Sequence, residues 1–149
     1  MPRDDDEPVL DSPTGNVARH VRAYLASDGR TGHRHRGHDT LLLVTRGRRS
    51  GILRRTALIY GVEGAAYVLV ASNAGSTRHP AWYLNLLDEP EVTVQVGAER
   101  FAARARTATS DERAELWPQM VAIFAMFTRY QVKAGREIPL VILDRVGSA

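Results

Sequence analysis

The sequence contains no cysteine, which excludes a disulfide framework, a catalytic thiol and a thiolate metal site. It contains a single lysine, Lys133, among 20 basic residues, so nearly every cation is an arginine, whose forked guanidinium suits phosphates and carboxylates. No apolar run approaches the roughly 20 residues needed to span a bilayer. The opening residues, M-P-R-D-D-D-E-P, lack the hydrophobic core of a signal peptide. We therefore expect a cytoplasmic protein with no firm membrane anchor and at most a peripheral membrane contact.

The 149 residues, of which 44% are hydrophobic and 25% charged, fit one soluble domain with a sizeable core. The net charge of +3 is too small to indicate nucleic-acid binding by itself. Residues 1–15 are acidic and contain proline, which predicts disorder. Residues 16–26 predict a short helix and residues 27–39 a polar linker. We therefore divide the chain into a tail with a short helix and linker, 1–39, and the domain proper, 40–149.

Six β-branched and aromatic runs bounded by turn residues predict strands, at residues 40–46, 53–62, 65–72, 91–97, 99–108 and 138–144. A short helix is predicted at 80–88, and a longer one begins at a capping box of Thr109 and Glu112 and is bent or restarted by Pro118. Short turns between the strands favour an antiparallel sheet. The lack of G-x-G-x-x-G after a strand argues against a Rossmann site. We expect an α+β fold, a small and mainly antiparallel β-barrel with flanking helices.

The stretch from Val70 to Asn85, V-A-S-N-A-G-S-T-R-H-P-A-W-Y-L-N, joins an apolar strand to a short helix through small polar residues. Such a loop exposes backbone N–H groups, and the helix after it points further N–H groups the same way. That arrangement suits a flat, anionic ligand. A polar loop that merely connects a strand to a core helix explains the composition about equally well.

The segment from Arg46 to Arg55 holds five arginines and no acid. Gly47 and Gly51 bracket a tight turn between two strand-like runs, which predicts a hairpin. Five guanidinium groups this close repel one another unless an anion lies among them, and arginine binds phosphate or carboxylate bidentately. From charge alone, an anionic small molecule is only slightly favoured over a solvated basic hairpin or a nucleic-acid patch.

Together these motifs resemble the deazaflavin-dependent nitroreductase family of actinobacteria. The resemblance covers roughly residues 40–145 and runs in order through L-L-L-V-T-R-G-R-R-S-G-x-x-R, V-L-V-A-S-N-x-G, H-P-A-W-Y-x-N-L and P-E-V-T-V-Q-V-G. It continues into D-E-R-A-E-L-W-P-Q-M-V, the Tyr130-Gln131 pair and the strand I-P-L-V-I-L. It implies a split β-barrel of the FMN-binding, flavin-reductase kind. It also implies the cofactor F420, an 8-hydroxy-5-deazaflavin that carries a phosphate and a polyglutamate tail.

Carried over position by position, the family's cofactor contacts fall into three groups. The phosphate and tail contacts, with a threonine on the same strand face, are Arg48, Arg49, Ser50, Arg54 and Thr56. The ring contacts, whose backbone amides can bond the ring carbonyl oxygens, are Val70, Ala71, Ser72 and Asn73. The loop and helix contacts are Pro80, Ala81, Trp82 and Asn85. A core role for Trp82 stays open, because a tryptophan at the start of a short helix is more often packed than functional.

The resemblance implies transfer of a hydride from carbon 5 of the reduced ring to an activated alkene, a quinone or a nitro compound. Tyr130 and Ser72 are the candidate side chains for orienting the substrate or supplying a proton, with water as the third source. Family members that activate nitro compounds carry a further tyrosine three residues earlier, where this chain has Phe127. That difference puts nitroimidazole activation in doubt but not cofactor binding.

Three alternatives to an F420-dependent reductase stay open. An FMN-dependent split-barrel oxidoreductase is the nearest, and a non-catalytic carrier of F420 or of a lipid-like molecule is the alternative of a different class. A nucleic-acid-binding barrel is remote, because the basic run lacks interleaved aromatics. The H-R-H-R-G-H segment at 33–38 is a weak metal candidate, since its arginines repel a cation. We expect a small-molecule acceptor as partner, no nucleic acid and no metal, and the sequence leaves the oligomeric state open.

Overall fold

A computed structural model describes residues 7–11 and 15–146 of the chain. Within these residues a nine-stranded sheet is flanked by four α-helices. The strands are β1 (Val9–Asp11), β2 (Arg34–His35), β3 (His38–Arg46), β4 (Leu53–Ile59), β5 (Gly61–Glu63), β6 (Ala66–Val70), β7 (Glu91–Val96), β8 (Glu99–Thr107) and β9 (Leu140–Arg145). The helices are α1 (Gly15–Ser27), α2 (Ala81–Asp88), α3 (Ser110–Ile123) and α4 (Met126–Ala134).

The sheet is almost wholly antiparallel. Its strand order is β1-β4-β3-β7-β8-β9-β6-β5, with β2 paired to β3 outside this path. Only the pair formed by β1 and β4 is parallel among the described strands. The described sheet ends at β1 and β5 without closing on itself, so the barrel is open along one side. The antiparallel α+β architecture expected from the sequence is confirmed.

The central strand β3 is buried on both faces, and this explains its unbroken apolar run. Leu41 and Leu43 point into the barrel core. Leu42 points the other way and packs against Val21 and Tyr24 of α1. A strand covered on one face only would alternate apolar and polar residues.

Helix α1 is fixed to the barrel through Tyr24, which is fully buried. The Tyr24 hydroxyl donates to the carbonyl oxygen of Thr40 over 3.1 Å and accepts from the amide of Gly97 over 2.7 Å. These bonds join α1 to β3 and to the turn between β7 and β8. The domain boundary before residue 40 stays a prediction.

A second core lies where α3 and α4 pack against β6 and β9. Strand β6 points Leu69 into the barrel core and Val68 and Val70 toward the helices, as the two-residue period of a strand requires. The buried members of this second core are Val68, Val70, Leu116, Met120, Phe127, Ala134, Ile138, Leu140 and Ile142. The two helices therefore cover the face of the sheet opposite the barrel interior.

The expected disorder of residues 1–15 is wrong for the part that the structure describes. Residues 9–11 form β1, which pairs in parallel with β4. Glu7 and Asp11 form ion pairs with Arg46 and Arg55, each with a closest distance of 2.7 Å. The acids thus meet arginines about 40 positions away, which composition alone cannot reveal. Residues 1–6 and 12–14 lie outside the described part of the chain.

Pro118 does not restart the helix, one of the two effects expected of it. It lies inside α3, which ends five residues later at Ile123, and the next residue, Phe124, adopts an extended conformation with φ −143° and ψ 99°. Leu116 and Met120, on either side of the proline, are both buried in the second core. Tertiary packing therefore outweighs the hydrogen bond that the proline removes.

Candidate cofactor site

The main candidate site is an open cavity of about 700 Å³ at one end of the barrel. It is lined by the β3–β4 hairpin, by the end of β6 with the loop that follows, and by the first turns of α2. Strands β4 and β6, which both contribute residues to the lining, are not paired with each other in the described sheet. Every predicted cofactor contact except Ala71 lines it, namely Arg48, Arg49, Ser50, Arg54, Thr56, Val70, Ser72, Asn73, Pro80, Ala81, Trp82 and Asn85.

The hairpin loop is closed by two backbone hydrogen bonds of 2.8 Å, from Gly47 to the carbonyl of Ile52 and from Gly51 to the carbonyl of Gly47. Gly51 has φ +72°, which favours glycine. At Gly47 an added Cβ would lie 2.7 Å from Ser50 Oγ and 3.0 Å from the Ile52 oxygen. The predicted hairpin is confirmed, and its two glycines are required for different reasons.

Asn85 of α2 supports this hairpin from the barrel side. Its Oδ1 accepts from the Arg48 amide over 3.2 Å and from Arg48 Nη1 over 3.3 Å. Its Nδ2 donates to Thr45 Oγ1 over 3.2 Å. Asn85 and Thr45 are 5% and 1% exposed, so these bonds replace water that cannot reach either group. Asn85 therefore orients Arg48, whether or not it also touches a ligand.

The five arginines of the hairpin fall into two sets. Arg46 and Arg55 are ion-paired with Glu7 and Asp11. The others, Arg48, Arg49 and Arg54, are exposed, line the cavity, and form no ion pair with any described residue. The cavity thus has one strongly cationic end.

Arg54 and Thr56 share a strand face, as the sequence predicts. Arg54 pairs across the sheet with Thr45, and Thr56 with Leu43. Leu43 points into the barrel core, and alternation along β4 places Arg54 and Thr56 on that same face. The structure therefore directs both residues toward the open end of the barrel interior.

The loop after β6 has an unusual backbone. Asn73, Ala74 and Gly75 are consecutive residues with positive φ, at 49°, 52° and 80°. Glycine adopts this left-handed conformation freely and asparagine tolerates it, whereas alanine there costs about 1–2 kcal/mol. Gly75 also lies against α4, since a Cβ there would be 3.0 Å from Tyr130 Cα. The loop is thus held in a conformation that its sequence does not favour.

Arg136 holds this loop in place, and sequence reasoning missed it. Its guanidinium reaches four backbone oxygens and one histidine nitrogen of the loop at 3.1–3.4 Å, and these acceptors belong to Ala71, Ser72, Ser76, Arg78 and His79. Only the position of Arg136 directly after Gly135, a left-handed residue that ends α4, marks it in the sequence. Its five partners are 57 to 65 positions away.

His79 acts as an acceptor in this network. Its Nδ1 lies 3.1 Å from Arg136 Nη1, and an arginine can only donate. Partial burial, and secondarily the Arg136 charge, lower the pKa of His79 below its ordinary value of 6.5. His79 therefore helps to order the loop by accepting a hydrogen bond from Arg136.

Three residues of interest lie away from the cavity lining. Ala71 is fully buried, and its amide donates to the carbonyl of Pro139 over 2.9 Å. Phe127 is 4% exposed in the second core, so a hydroxyl at this position would enter that core. Tyr130 packs against the same core, with its ring centroid 6.1 Å from that of Phe124 and 6.4 Å from that of Phe127. Of the two candidate catalytic side chains, Ser72 alone lines the cavity.

Some lining residues were not predicted, chiefly Thr45, Leu58 and Ala74. Thr45 ends the apolar run of β3 as its only hydroxyl after the leucines, which is a weak signal of a polar environment. Leu58 also packs on the barrel core, and nothing in the sequence separates it from other core residues. No group of three or more potential metal ligands occurs within the described residues. Nor is any helix in that part of the chain long and apolar enough to cross a membrane.

Comparisons with known proteins identify the family of this chain. The family model described as F420H(2)-dependent quinone reductase matches residues 16–145. An F420H(2)-dependent quinone reductase of Mycobacterium tuberculosis (strain ATCC 25618 / H37Rv) is 38% identical over 130 residues, which cover 85% of this chain and 87% of that protein. The solved structure of an F420-H2 dependent reductase, FDR-A, is 34% identical with a TM-score of 0.65, over 70% of this chain and 93% of that one.

A more distant likeness concerns the fold alone. A pyridoxamine 5'-phosphate oxidase-related, FMN-binding protein from Nostoc punctiforme PCC 73102 is 13% identical with a TM-score of 0.50, over 91% of this chain and 83% of that one. The split-barrel expectation is confirmed by these structural neighbours, and so is the resemblance to deazaflavin-dependent oxidoreductases. This chain belongs to the F420H(2)-dependent quinone reductase family, an oxidoreductase family whose cofactor is F420.

Proposed function

We propose that this protein binds F420 in the cavity and uses its reduced form to reduce a small, electron-poor acceptor of the quinone class. One observation carries the proposal. A single cavity is lined by three arginines that form no ion pair with a described carboxylate, and also by a loop of small residues and by Trp82. This combination matches a molecule with an anionic tail and a flat ring.

The cationic end fits the phosphate and tail of F420. Arg48 is oriented by Asn85, while Arg49 and Arg54 extend from the hairpin and strand β4 into the same cavity. Guanidinium groups bind phosphate and carboxylate oxygens in pairs of parallel hydrogen bonds. Ser50 and Thr56 add hydroxyl donors at this end. Because FMN lacks a tail of carboxylates, this set of residues favours F420.

The opposite end fits a ring. Ser72 and Asn73 line the cavity at the end of β6, and Ala81 and Trp82 line it from α2. Along β6, Leu69 pairs with Val141 and Val70 with Leu140, and the Ala71 amide donates to the carbonyl of Pro139, just before β9. Because N–H groups alternate in direction along a strand, the Val70 amide points away from β9. Backbone donors at Val70, Ser72 and Asn73 are thus suited to the ring carbonyl oxygens.

The bound cofactor would supply the hydride, and this chain must orient the acceptor and leave a path for a proton. Ser72 is the better placed hydroxyl, since it lines the cavity. The role of Tyr130 stays a prediction, because its ring packs beside Phe124 and Phe127. Residue 127 is a phenylalanine buried in the second core, so it offers no hydroxyl to a nitro compound, which favours quinones and enones as acceptors.

Binding tests the cofactor assignment. F420 and FMN are titrated into the protein while the fluorescence of its tryptophans is followed, and F420 should bind at least about tenfold more tightly. Arg54→Ala should weaken F420 binding by roughly 1.5–3 kcal/mol, as expected for a hydrogen bond to a charged group. Arg104→Ala, an exposed arginine of β8 outside the cavity, is the matched control. Equal or tighter binding of FMN would favour an FMN-dependent enzyme instead.

Turnover tests the reaction. The oxidation of reduced F420 is followed with a quinone, an enone and a nitroaromatic compound, and the quinone and enone should react faster. Ser72→Ala and Tyr130→Phe each remove one hydroxyl, and the one that handles the proton should lose roughly 10²–10⁴-fold in turnover while keeping its F420 affinity. Unchanged rates in both variants would assign the proton to water. Tight F420 binding without turnover of any acceptor would favour a carrier.

A further inference from the structure

The loop after β6 forms a concave array of backbone N–H groups. Ser72 is right-handed, with φ −79° and ψ −33°, and Asn73 that follows is left-handed, with φ 49°. A right-handed residue followed by a left-handed one turns successive N–H groups toward one point, a concavity that binds anions or partial negative charge. Ser72, Asn73 and Ala74 all line the cavity.

The turn leaves these N–H groups outside its own hydrogen bonds. The two bonds within it are donated by Gly75 to the Ser72 carbonyl over 2.9 Å and by Ser76 to the Asn73 carbonyl over 3.0 Å. Asn73 and Ala74 are exposed at the cavity wall. The array of N–H groups therefore lies at the cavity wall.

Arg136 donates hydrogen bonds to the carbonyl oxygens of the peptide groups whose N–H groups form this array. Its Nη2 lies 3.4 Å from the Ala71 oxygen and 3.2 Å from the Ser72 oxygen. The peptide that begins with the Ala71 carbonyl ends with the Ser72 N–H, and the peptide that begins with the Ser72 carbonyl ends with the Asn73 N–H. A cation at the oxygen end of a peptide strengthens its N–H as a donor, because hydrogen bonds in a chain polarise one another.

The Arg136 charge is anchored and is not neutralised locally. Gln131 donates to the Arg136 carbonyl over 2.6 Å, and its Oε1 accepts from Arg113 and from the Ile138 amide, each over 2.9 Å. No carboxylate forms an ion pair with Arg136 among the described residues. Its side-chain partners among the described residues are four backbone oxygens and Nδ1 of His79, so its charge faces the loop.

We propose that Arg136 is a positioning residue that polarises the Ser72 and Asn73 peptides, so that the cavity wall favours negative charge on the carbonyl edge of a bound deazaflavin ring. The inference rests on the proposed function, since it requires the ring to lie against this loop. The loop then acts on the bound ring through its electrostatic field as well as through its shape. It also gives Gln131, the second residue of the Tyr130-Gln131 pair, a role as the anchor of Arg136.

The ionisation of the cofactor itself provides the test. Loss of the 8-hydroxyl proton from oxidised deazaflavin spreads negative charge over the conjugated ring to its carbonyl edge and changes its absorbance. The pH of this change is measured for free F420 and for F420 bound to the parent, to Arg136→Gln and to Arg136→Lys. Arg104→Gln serves as the control arginine. His79→Asn, which keeps an acceptor near the Nδ1 position, separates any titration of His79 from that of the cofactor.

We expect the bound cofactor to ionise at lower pH than free F420 in the parent and in Arg104→Gln. Arg136→Gln should raise that pH by roughly half to one unit, the scale of one charge acting across a partly exposed site. In Arg136→Lys the bound cofactor should ionise at a pH near that found for the parent. Lysine keeps the positive charge, although it lacks the forked guanidinium group. This split between Gln and Lys would not arise from a merely structural role.

The outcomes separate the two proposals. If the parent does not bind F420, the proposed function fails and the inference fails with it. If the parent and Arg136→Gln bind F420 and the cofactor ionises at the same pH in both, only the inference is overturned. If Arg136→Gln does not fold, the test is the ionisation pH of F420 bound to the parent protein. A value equal to or above that of free F420 overturns the inference.

Discussion

Replacement of Asn85 by alanine should loosen the hairpin that carries the cavity arginines. The change removes three hydrogen bonds, two to Arg48 and one to Thr45. A typical intramolecular bond contributes about 0.5–1.5 kcal/mol, and a buried polar group left without a partner costs about 1–3 kcal/mol. Thr45 is 1% exposed, so its hydroxyl has little access to water. We expect the free energy of unfolding to fall by about 2–4 kcal/mol.

Urea unfolding followed by tryptophan fluorescence measures this loss, and F420 titration measures its consequence for binding. Asn85→Asp is the first control, because it keeps the oxygen that faces Arg48 and loses only the donor to Thr45. Thr45→Val combined with Asn85→Ala is the second control. In that double variant no hydroxyl is left unsatisfied, so it should be at least as stable as Asn85→Ala alone.

Binding distinguishes support of the hairpin from direct contact with the ligand. If Asn85 acts by orienting Arg48, Asn85→Asp should bind F420 more tightly than Asn85→Ala, even though a new carboxylate faces the cavity. The reasoning is refuted if Asn85→Ala unfolds at the same urea concentration as the parent. It is also refuted if the double variant is less stable than Asn85→Ala.

Two further predictions concern the loop after β6. Gly75→Ala should lower the free energy of unfolding by about 2 kcal/mol or more, because alanine is strained at φ +80° and its Cβ would press on the backbone of α4. Equal urea midpoints for the parent and the variant would contradict this. Because the pKa of His79 is lowered in the folded state, the unfolded chain takes up this proton first, so stability should be fully present above pH 6.5 and decline as pH falls through the lowered pKa. His79→Asn keeps an acceptor for Arg136, and the free energy of unfolding of this variant, measured by urea titration between pH 7.5 and 5, should depend less on pH. An unaltered pH dependence would show that His79 does not contribute to it.

The sequence by itself determined the elements whose signals are local. Two glycines around a basic run indicate the hairpin, because glycine is favoured at the crowded position 47 and at the left-handed position 51. Thr109 and Glu112 form the expected reciprocal capping box. The alternation along β4 puts Arg54 and Thr56 on one face. Motif order supplied the family, and the comparisons confirm it.

Tertiary structure decided the features that depend on partners far apart in the chain. Helix α3 continues through Pro118 because burial of its neighbours outweighs a lost hydrogen bond. The acids of the N-terminal segment neutralise Arg46 and Arg55, so only part of the basic hairpin is left for a ligand.

Arg136 is the clearest case of such dependence. It holds the loop through five acceptors 57 to 65 positions away, and no local pattern records such a contact. Propensity and periodicity describe a residue and its near neighbours, whereas the energetic contribution of a charge depends on which groups the fold places around it.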